Sequence, residues 1–146
     1  MNNAITFDQL SHLLTSFEVK IFGKGATDET IKFAEEKLEI IIRGDYRNFL
    51  QTFGWGGVQH LELYGLGSDV PPYLDLISVT ESERVEMNPK LPKYLIPVMN
   101  DGSGNLYCID TRFVEPFLVF WDHEIGKDQN GIYHFSEWLY RVVKNL

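Results

Sequence analysis

The sequence predicts a single-domain α+β protein in which N-terminal helices precede a mainly antiparallel sheet and a C-terminal helix. Three observations lead to this prediction. Apolar residues recur at helical spacing in the first third of the chain, strand-like runs joined by turn-forming residues follow, and an amphipathic segment ends the sequence. Helices gathered before hairpin-linked strands favour an antiparallel sheet covered on one face over a parallel, doubly wound sheet.

The first third contains three predicted helices. Thr6 is a candidate N-cap for the first helix. Gly23 and Gly25 follow this helix and are predicted to break it. The second helix begins near Asp28, and the third runs from about Asp45 to a stop at Gly54. The predicted inward-facing residues of the three helices are Phe7, Leu10, Leu13, Leu14 and Phe17; Ile31, Ala34 and Leu38; and Tyr46, Phe49, Leu50 and Phe53.

The predicted sheet follows these helices. Polar and apolar residues alternate over residues 60–66, which predicts a first strand with one wet face. Residues 94–99 and 106–110 are predicted strands separated by a turn-forming hairpin linker, and residues 117–121 are a further strand. Ser136 is a candidate cap for the last helix. Between these strands, residues 79–87 are predicted to form a short acidic helix.

Size and composition fit one domain over residues 1–146. The chain has 44% hydrophobic and 14% aromatic residues, which is enough for one core and too little for two. Apolar stretches stay below the roughly 20 residues that span a bilayer, the start lacks the regions of a secretory signal, and Cys108 is the single cysteine. We therefore expect a cytoplasmic protein without a membrane partner.

The chain is acidic, and its negative charge is unevenly distributed. Lys and Arg number 13 against 21 Asp and Glu, which gives a formal net charge of -8. Such a chain repels phosphate backbones, so direct nucleic-acid binding is not expected. Residues 60–89 carry six acids against Arg84 alone. This segment is either an acidic binding zone or a means of keeping the domain soluble.

Three short segments of the sequence are candidate chemical sites. Asp101-x-Ser103-x-Asn105 has the alternating oxygen ligands of a calcium loop, but Leu106 stands where that loop needs Gly, which favours a hairpin turn. Residues 122–124, Asp-His-Glu, could bind a metal or act as acid and base. Successive side chains of a strand point to opposite faces, however, so a partner surface or a structural corner is favoured. Cys108 lies in a predicted strand, which favours a buried role.

Common enzyme signatures are missing from the sequence. It contains no P-loop, dinucleotide fingerprint, nucleophile elbow or zinc-protease helix. We therefore expect a binding protein without a cofactor, and a metal-dependent enzyme built around His60 and His123 is the weaker alternative. Trp55, flanked by glycines, is either an exposed aromatic anchor or a plug over the core.

Taken in order, eight segments resemble the SUKH superfamily of Smi/Knr type. They are EEKLEI (35–40), DYRNFL (45–50), GWGG (54–57), LYGL (63–66), LIPV (95–98), DGSGNLYCID (101–110), VFWDHE (119–124) and FSEWL (135–139). Two departures stand out. Ile42-Arg43 replaces the usual Leu-Pro before the third helix, which is expected to lengthen or loosen that junction. The usual Asn-Gly-Gly turn has become Gly-Trp-Gly-Gly.

The resemblance implies an α+β fold with a curved, largely antiparallel sheet, and it offers no catalytic residues to transfer. It also implies either a bacterial immunity protein that binds a secreted toxin, often a nuclease, or a regulatory scaffold like the fungal cell-wall-assembly regulators. An acidic protein suits the cationic groove of a nuclease. The predicted partner-binding residues are Trp55, Asp69, Asp75, Glu81, Glu83, Glu86, Asp122 and Glu124.

Overall fold

The computed structural model describes residues 4–146, which form an α+β fold. Its α-helices are α1 (Phe7–Thr15), α2 (Asp28–Leu38), α3 (Asp45–Thr52), α4 (Leu76–Val85) and α5 (Phe135–Lys144). Its strands are β1 (Lys20–Phe22), β2 (Gly56–Val58), β3 (Leu95–Asn100), β4 (Leu106–Asp110), β5 (Phe117–Asp122) and β6 (Lys127–His134). A short 3₁₀ helix spans Pro72–Leu74. Among residues 4–146, no helix combines the length and apolar character needed to cross a membrane.

Helices α1 and α2 begin where their capping residues predict, and α3 ends just before the glycine that the sequence predicts as its stop. The Thr6 hydroxyl accepts a hydrogen bond from the Gln9 amide at 3.1 Å, and the Gln9 side chain accepts one from the Thr6 amide, which completes a capping box. Thr27 caps α2 in the same way through Thr30. Gly54 follows α3 with φ +79°, a conformation that favours glycine. These local signals place the starts of α1 and α2 and the end of α3.

The junction between α2 and α3 is ordered by side-chain contacts, whereas the sequence suggested a longer or looser one. The Glu35 carboxylate accepts hydrogen bonds from the Ile42 amide at 2.8 Å and from Arg47 Nη1 at 3.2 Å. Arg47 Nη1 also donates to the Ile42 carbonyl at 3.1 Å, and Ile42 is buried. Ile42, the first of the two residues that replace Leu-Pro, is therefore fixed in place.

The prediction of a first strand over residues 60–66 was wrong. Residues 60–66 form an extended segment with scattered backbone hydrogen bonds, such as Leu63 N to the Gly56 carbonyl at 2.8 Å. The strands that do form here are β1 and β2, which pair antiparallel over three residues each. A three-residue strand is too short to show a period of two, so β1 gave no pattern.

The main sheet is antiparallel with the order β3-β4-β5-β6. The predicted hairpin joins β3 and β4, and β5 agrees with the prediction to within one residue. Strand β6 was not predicted, because its sequence KDQNGIYH is mostly polar and its residues are largely exposed. Register shifts lie between Pro97 and Met99 and between Phe117 and Val119, and such bulges bend strands.

Apolar clusters cover both faces of the main sheet, whereas the sequence predicted a sheet covered on one face. Ile109 and Leu118 point into the main core beside Phe135 of α5. Cys108 and Trp121 point to the opposite face and pack with Leu91 in a second cluster. Double cover explains why these strands are almost continuously apolar.

The last two helices differ from prediction at their ends. Helix α4 begins three residues earlier than the predicted residues 79–87, and its buried side chains are Leu76 and Thr80. Helix α5 has His134 at its N-cap position, so the predicted cap at Ser136 was wrong. The Ser136 hydroxyl instead donates to Asp45 Oδ2 at 2.5 Å, which ties α5 to the start of α3.

Candidate functional site

Two connections meet at one end of the main sheet. Because the strands are antiparallel, the β3–β4 loop and the β5–β6 turn emerge at the same end. The Asn105 amide oxygen accepts a hydrogen bond from the His123 backbone at 3.2 Å and lies 2.7 Å from His123 Nδ1. An amide oxygen only accepts hydrogen bonds, so Nδ1 carries the proton in this contact. One side chain thus holds the two connections together.

The end of α4 reaches the same place. Pro89 packs against Gly126 in the β5–β6 turn, since a Cβ atom on Gly126 would lie only 2.7 Å from the proline ring. The Leu91 amide donates to the Glu83 carbonyl at 3.0 Å, which turns the chain back after the helix. The His123 ring is also close enough to act electrostatically on the Glu83 carboxylate.

A fourth segment lies along the free edge of β3. The Tyr64 amide donates to the Val98 carbonyl at 2.9 Å, so residues 60–64 run beside the strand. We call residues 60–64, 83–91, 100–105 and 122–127 together the hairpin-end surface. Its acids are Glu62, Glu83, Glu86, Asp101, Asp122 and Glu124, and its Lys and Arg residues are Arg84, Lys90 and Lys127.

Arg84 does not neutralise this surface fully, because its guanidinium group is used inside the fold. Nη1 donates to the Leu38 carbonyl at 2.8 Å and Nη2 donates to the Lys93 carbonyl at 2.6 Å. These contacts join α4 to the end of α2 and to the start of β3. The hairpin-end surface therefore has six carboxylates against two other basic side chains, Lys90 and Lys127.

The structure brings together four of the predicted partner-binding residues and separates the rest. Glu83, Glu86, Asp122 and Glu124 belong to the hairpin-end surface. Asp75 caps α4, where its carboxylate accepts hydrogen bonds from the Ser78 amide at 3.3 Å and the Ser78 hydroxyl at 2.7 Å. Glu81 is exposed, and its negative charge interacts electrostatically with the Arg84 guanidinium group.

Trp55 and Asp69 form a separate structural pair. Trp55 is 6% exposed, and its indole Nε1 donates to Asp69 Oδ1 at 2.9 Å. This hydrogen bond is the main reason that the pKa of Asp69 lies below its usual value. A Cβ atom on Gly23 would lie 2.2 Å from the Trp55 indole nitrogen, so glycine is required beside the ring. Of its two interpretations, Trp55 therefore fits the plug and not the exposed anchor.

The other motifs have structural roles. Asp101 Oδ1 accepts hydrogen bonds from the amides of Ser103 at 2.8 Å and Asn105 at 3.2 Å, as expected for a hairpin turn. Cys108 is buried, and burial raises the pKa of its thiol. Within residues 4–146, no three His, Cys, Asp or Glu side chains are grouped as metal ligands.

Sequence reasoning missed Glu62 and Asp101. Glu62 lies in the segment that was predicted to be an ordinary strand, and Asp101 was considered only as a calcium ligand. One signal could have found Asp101: successive antiparallel hairpins place alternate connections at the same end of a sheet, so residues 100–105 and 122–127 must be neighbours. No local pattern indicates that residues 60–64 join them.

A separate cavity with a volume of about 740 Å³ lies at the start of α5. Some of its charged groups already have partners in the fold: Asp45 accepts a hydrogen bond from the Ser136 hydroxyl at 2.5 Å, and Arg141 donates to Glu137 at 2.9 Å. Its walls carry both signs of charge, including Arg43. This balance gives no preference for a charged partner, unlike the hairpin-end surface.

Comparisons with known proteins agree with the resemblance seen in the sequence. A crystal structure of a protein from Pseudomonas syringae pv. tomato is similar at a TM-score of 0.65 and 18% sequence identity, covering 94% of this chain and 96% of that one. At this identity the likeness concerns the fold. The family described as SMI1-KNR4 cell-wall, SUKH_5, matches residues 3–144. Since this match spans nearly the whole sequence, the chain belongs to the SMI1-KNR4 cell-wall family.

Proposed function

We propose that this chain is a cytoplasmic immunity protein that binds a cationic toxin domain through the hairpin-end surface and acts by binding, without catalysis. One observation carries the proposal. Four separate segments that carry carboxylates, among them Glu62, Glu86, Asp101 and Glu124, converge at one end of the sheet. Family membership supports it, because bacterial SUKH proteins resemble antidotes made beside secreted toxins.

Electrostatics explains how such a surface would recognise a nuclease. A nuclease must present positive charge to phosphates, and a negative surface of matching shape can occupy that groove or its rim. Opposite charges speed the encounter, and salt weakens this effect because the Debye length is only about 8 Å at physiological ionic strength. Capture should therefore be fast and sensitive to salt.

Rigidity of the surface favours tight capture. The Asn105–His123 contacts and the Pro89–Gly126 packing hold three of its four segments before any partner arrives. A surface that is already ordered loses less conformational entropy on binding. The carboxylates of Glu86 and Glu124 are nevertheless exposed and available to a partner.

A matched pair of triple variants tests the proposal. The test variant is Glu86→Gln, Asp122→Asn and Glu124→Gln; the control is Glu18→Gln, Glu36→Gln and Glu115→Gln, which removes the same charge from exposed residues outside the surface. Each would be coexpressed with the toxin encoded by the neighbouring gene, and association rates would be measured across a salt series. We expect the test variant to associate at least about tenfold more slowly at low salt, with a weaker salt response.

The control variant should protect cells and bind like the wild type to within about twofold. Two results would contradict the proposal. One is death of cells that express soluble wild-type protein with the toxin. The other is equal loss in both triple variants, which would mean that total charge matters and that the hairpin-end surface does not.

The family description supports a second candidate function. This description mentions the cell wall, so the alternative function is a regulatory scaffold for wall-assembly proteins. Gene context separates the two functions, because an immunity protein needs a toxin gene beside its own. A wall defect after gene deletion, in a genome without such a neighbour, would favour the scaffold.

A further inference from the structure

A cleft of about 420 Å³ opens within the hairpin-end surface. It lies between residues 60–64, the 3₁₀ helix and the β3–β4 loop, and its volume is in the lower part of the roughly 300–1,000 Å³ usual for ligand pockets. Three tyrosines and two carboxylates contribute to its walls, and the lining includes no Lys or Arg. These five side chains are Glu62, Tyr64, Tyr73, Asp101 and Tyr107.

Tyr73 is the most unusual wall residue, because it is a large aromatic side chain left 62% exposed. Its hydroxyl donates to Glu62 Oε2 at 2.9 Å, which holds the ring at the cleft. This hydrogen bond and, after it, the charge of Glu62 raise the pKa of Tyr73, so this tyrosine remains a neutral donor. Its position contributes little to the core.

Both carboxylates remain able to accept further hydrogen bonds. Glu62 is exposed, and within the described residues only Tyr73 bonds to its side chain. Asp101 accepts from two backbone amides through Oδ1 and from Asn105 Nδ2 through Oδ2 at 3.1 Å. Each ionised carboxylate offers about four acceptor positions, so neither is saturated.

We propose that this cleft is a socket for a guanidinium group, namely one arginine side chain of the bound protein. This inference rests on the proposed function and names the chemistry of the partner at one point of its surface. Carboxylates pair with guanidinium through charge-assisted hydrogen bonds, and tyrosine faces attract a cation placed over them. Arginine suits such a site better than lysine, because its flat group can stack on a ring while it donates to Glu62.

A titration with a small probe tests the socket directly. Amide signals of the ¹⁵N-labelled chain would be followed by NMR while Nα-acetyl-arginine amide is added, with Nα-acetyl-citrulline amide as the uncharged control of similar shape. We expect the arginine probe to shift signals around the cleft, including those of Leu61, Tyr73 and Gly102, and the citrulline probe to leave them unchanged. Glu62→Gln should reduce these shifts at least about fivefold, whereas Glu36→Gln should preserve them. Equal shifts from both probes, or shifts spread evenly over the surface, would overturn the socket.

Toxin capture by cleft variants separates the socket from the proposed function. Glu62→Gln and Tyr73→Leu should each weaken binding of the neighbouring toxin about tenfold or more, while Tyr73→Phe, which keeps the ring, should weaken it less. If the wild type and all three variants capture the toxin equally, the socket is wrong and the immunity function stands. If the arginine probe binds the cleft but the wild type does not capture the toxin, the immunity function is wrong and the guanidinium chemistry of the cleft stands.

Discussion

Gly65 lies where the chain passes very close to itself. A Cβ atom there would stand 1.7 Å from the Gly54 carbonyl oxygen, far inside any allowed contact. Relief would require the backbone of the glycine turn to move, so we expect Gly65→Ala to lower the free energy of unfolding by about 3 kcal/mol or more. Urea unfolding followed by tryptophan fluorescence would measure it.

Gly102 provides the control at the same scale. It has φ +94°, but an added Cβ atom would meet nothing within 4 Å. Gly102→Ala should therefore lose only the conformational preference of glycine, about 1–2 kcal/mol. Gly65 has no positive φ, so equal losses in the two variants would contradict the explanation by close approach at Gly65.

Trp55 shows why single residues are hard to interpret from sequence. Its flanking glycines are compatible with exposure and with burial, so the sequence left both interpretations open. The choice depends on Gly23 and Asp69, which approach the indole ring from distant parts of the chain. Contacts between residues so far apart have no local pattern, and only the folded chain reveals them.

At the scale of elements, α4 depends on its capping residue. Asp75 accepts from the Ser78 amide and hydroxyl at the start of the helix. Asp75→Ala should lower the free energy of unfolding by about 1 kcal/mol, because it leaves that amide without its cap. Asp75→Asn keeps an acceptor oxygen and should lose clearly less. Thermal unfolding of both variants would measure the difference, and similar losses would assign the effect to charge instead of capping.

The elements that the sequence predicted well are those with strong local signals. Helices α1 and α2 have capping residues, α3 has a glycine stop, all three have apolar faces, and the β3–β4 hairpin has a turn-forming linker, so their positions follow from neighbouring residues. Strand β6 exists because β5 offers it a partner, and its polar sequence contains no such signal. The same reason explains why Glu62 was missed, since it joins the surface only through tertiary pairing beside β3.

At the scale of the whole molecule, topology concentrates charge that the sequence distributes widely. The two hairpins, the end of α4 and residues 60–64 all finish at one end of the sheet. Crowded carboxylates repel one another, and this repulsion destabilises the free protein while it strengthens attraction to a cationic partner. The proposed binding surface should therefore reduce stability, a relation often seen at functional sites.

Glu83 allows this relation to be measured. Burial raises the pKa of its carboxyl group, and the charge of His123 only partly opposes the shift. Because the folded chain holds the proton more tightly than the unfolded chain, stability should fall as pH rises from about 4.5, the ordinary value for Glu, through the raised pKa. Above that range the ionised, half-buried carboxylate is a constant disadvantage.

Glu83→Gln should therefore raise the free energy of unfolding at pH 7, and its advantage over the wild type should shrink as pH falls through the raised pKa of Glu83 towards about 4.5. Urea unfolding across a pH series would measure both, with Glu36→Gln as the control for removing a solvent-exposed carboxylate. A stability gain that persists unchanged at low pH would contradict the explanation by ionisation. If Glu83→Gln also binds the toxin less rapidly, one carboxylate will have been shown to lower stability and to speed capture.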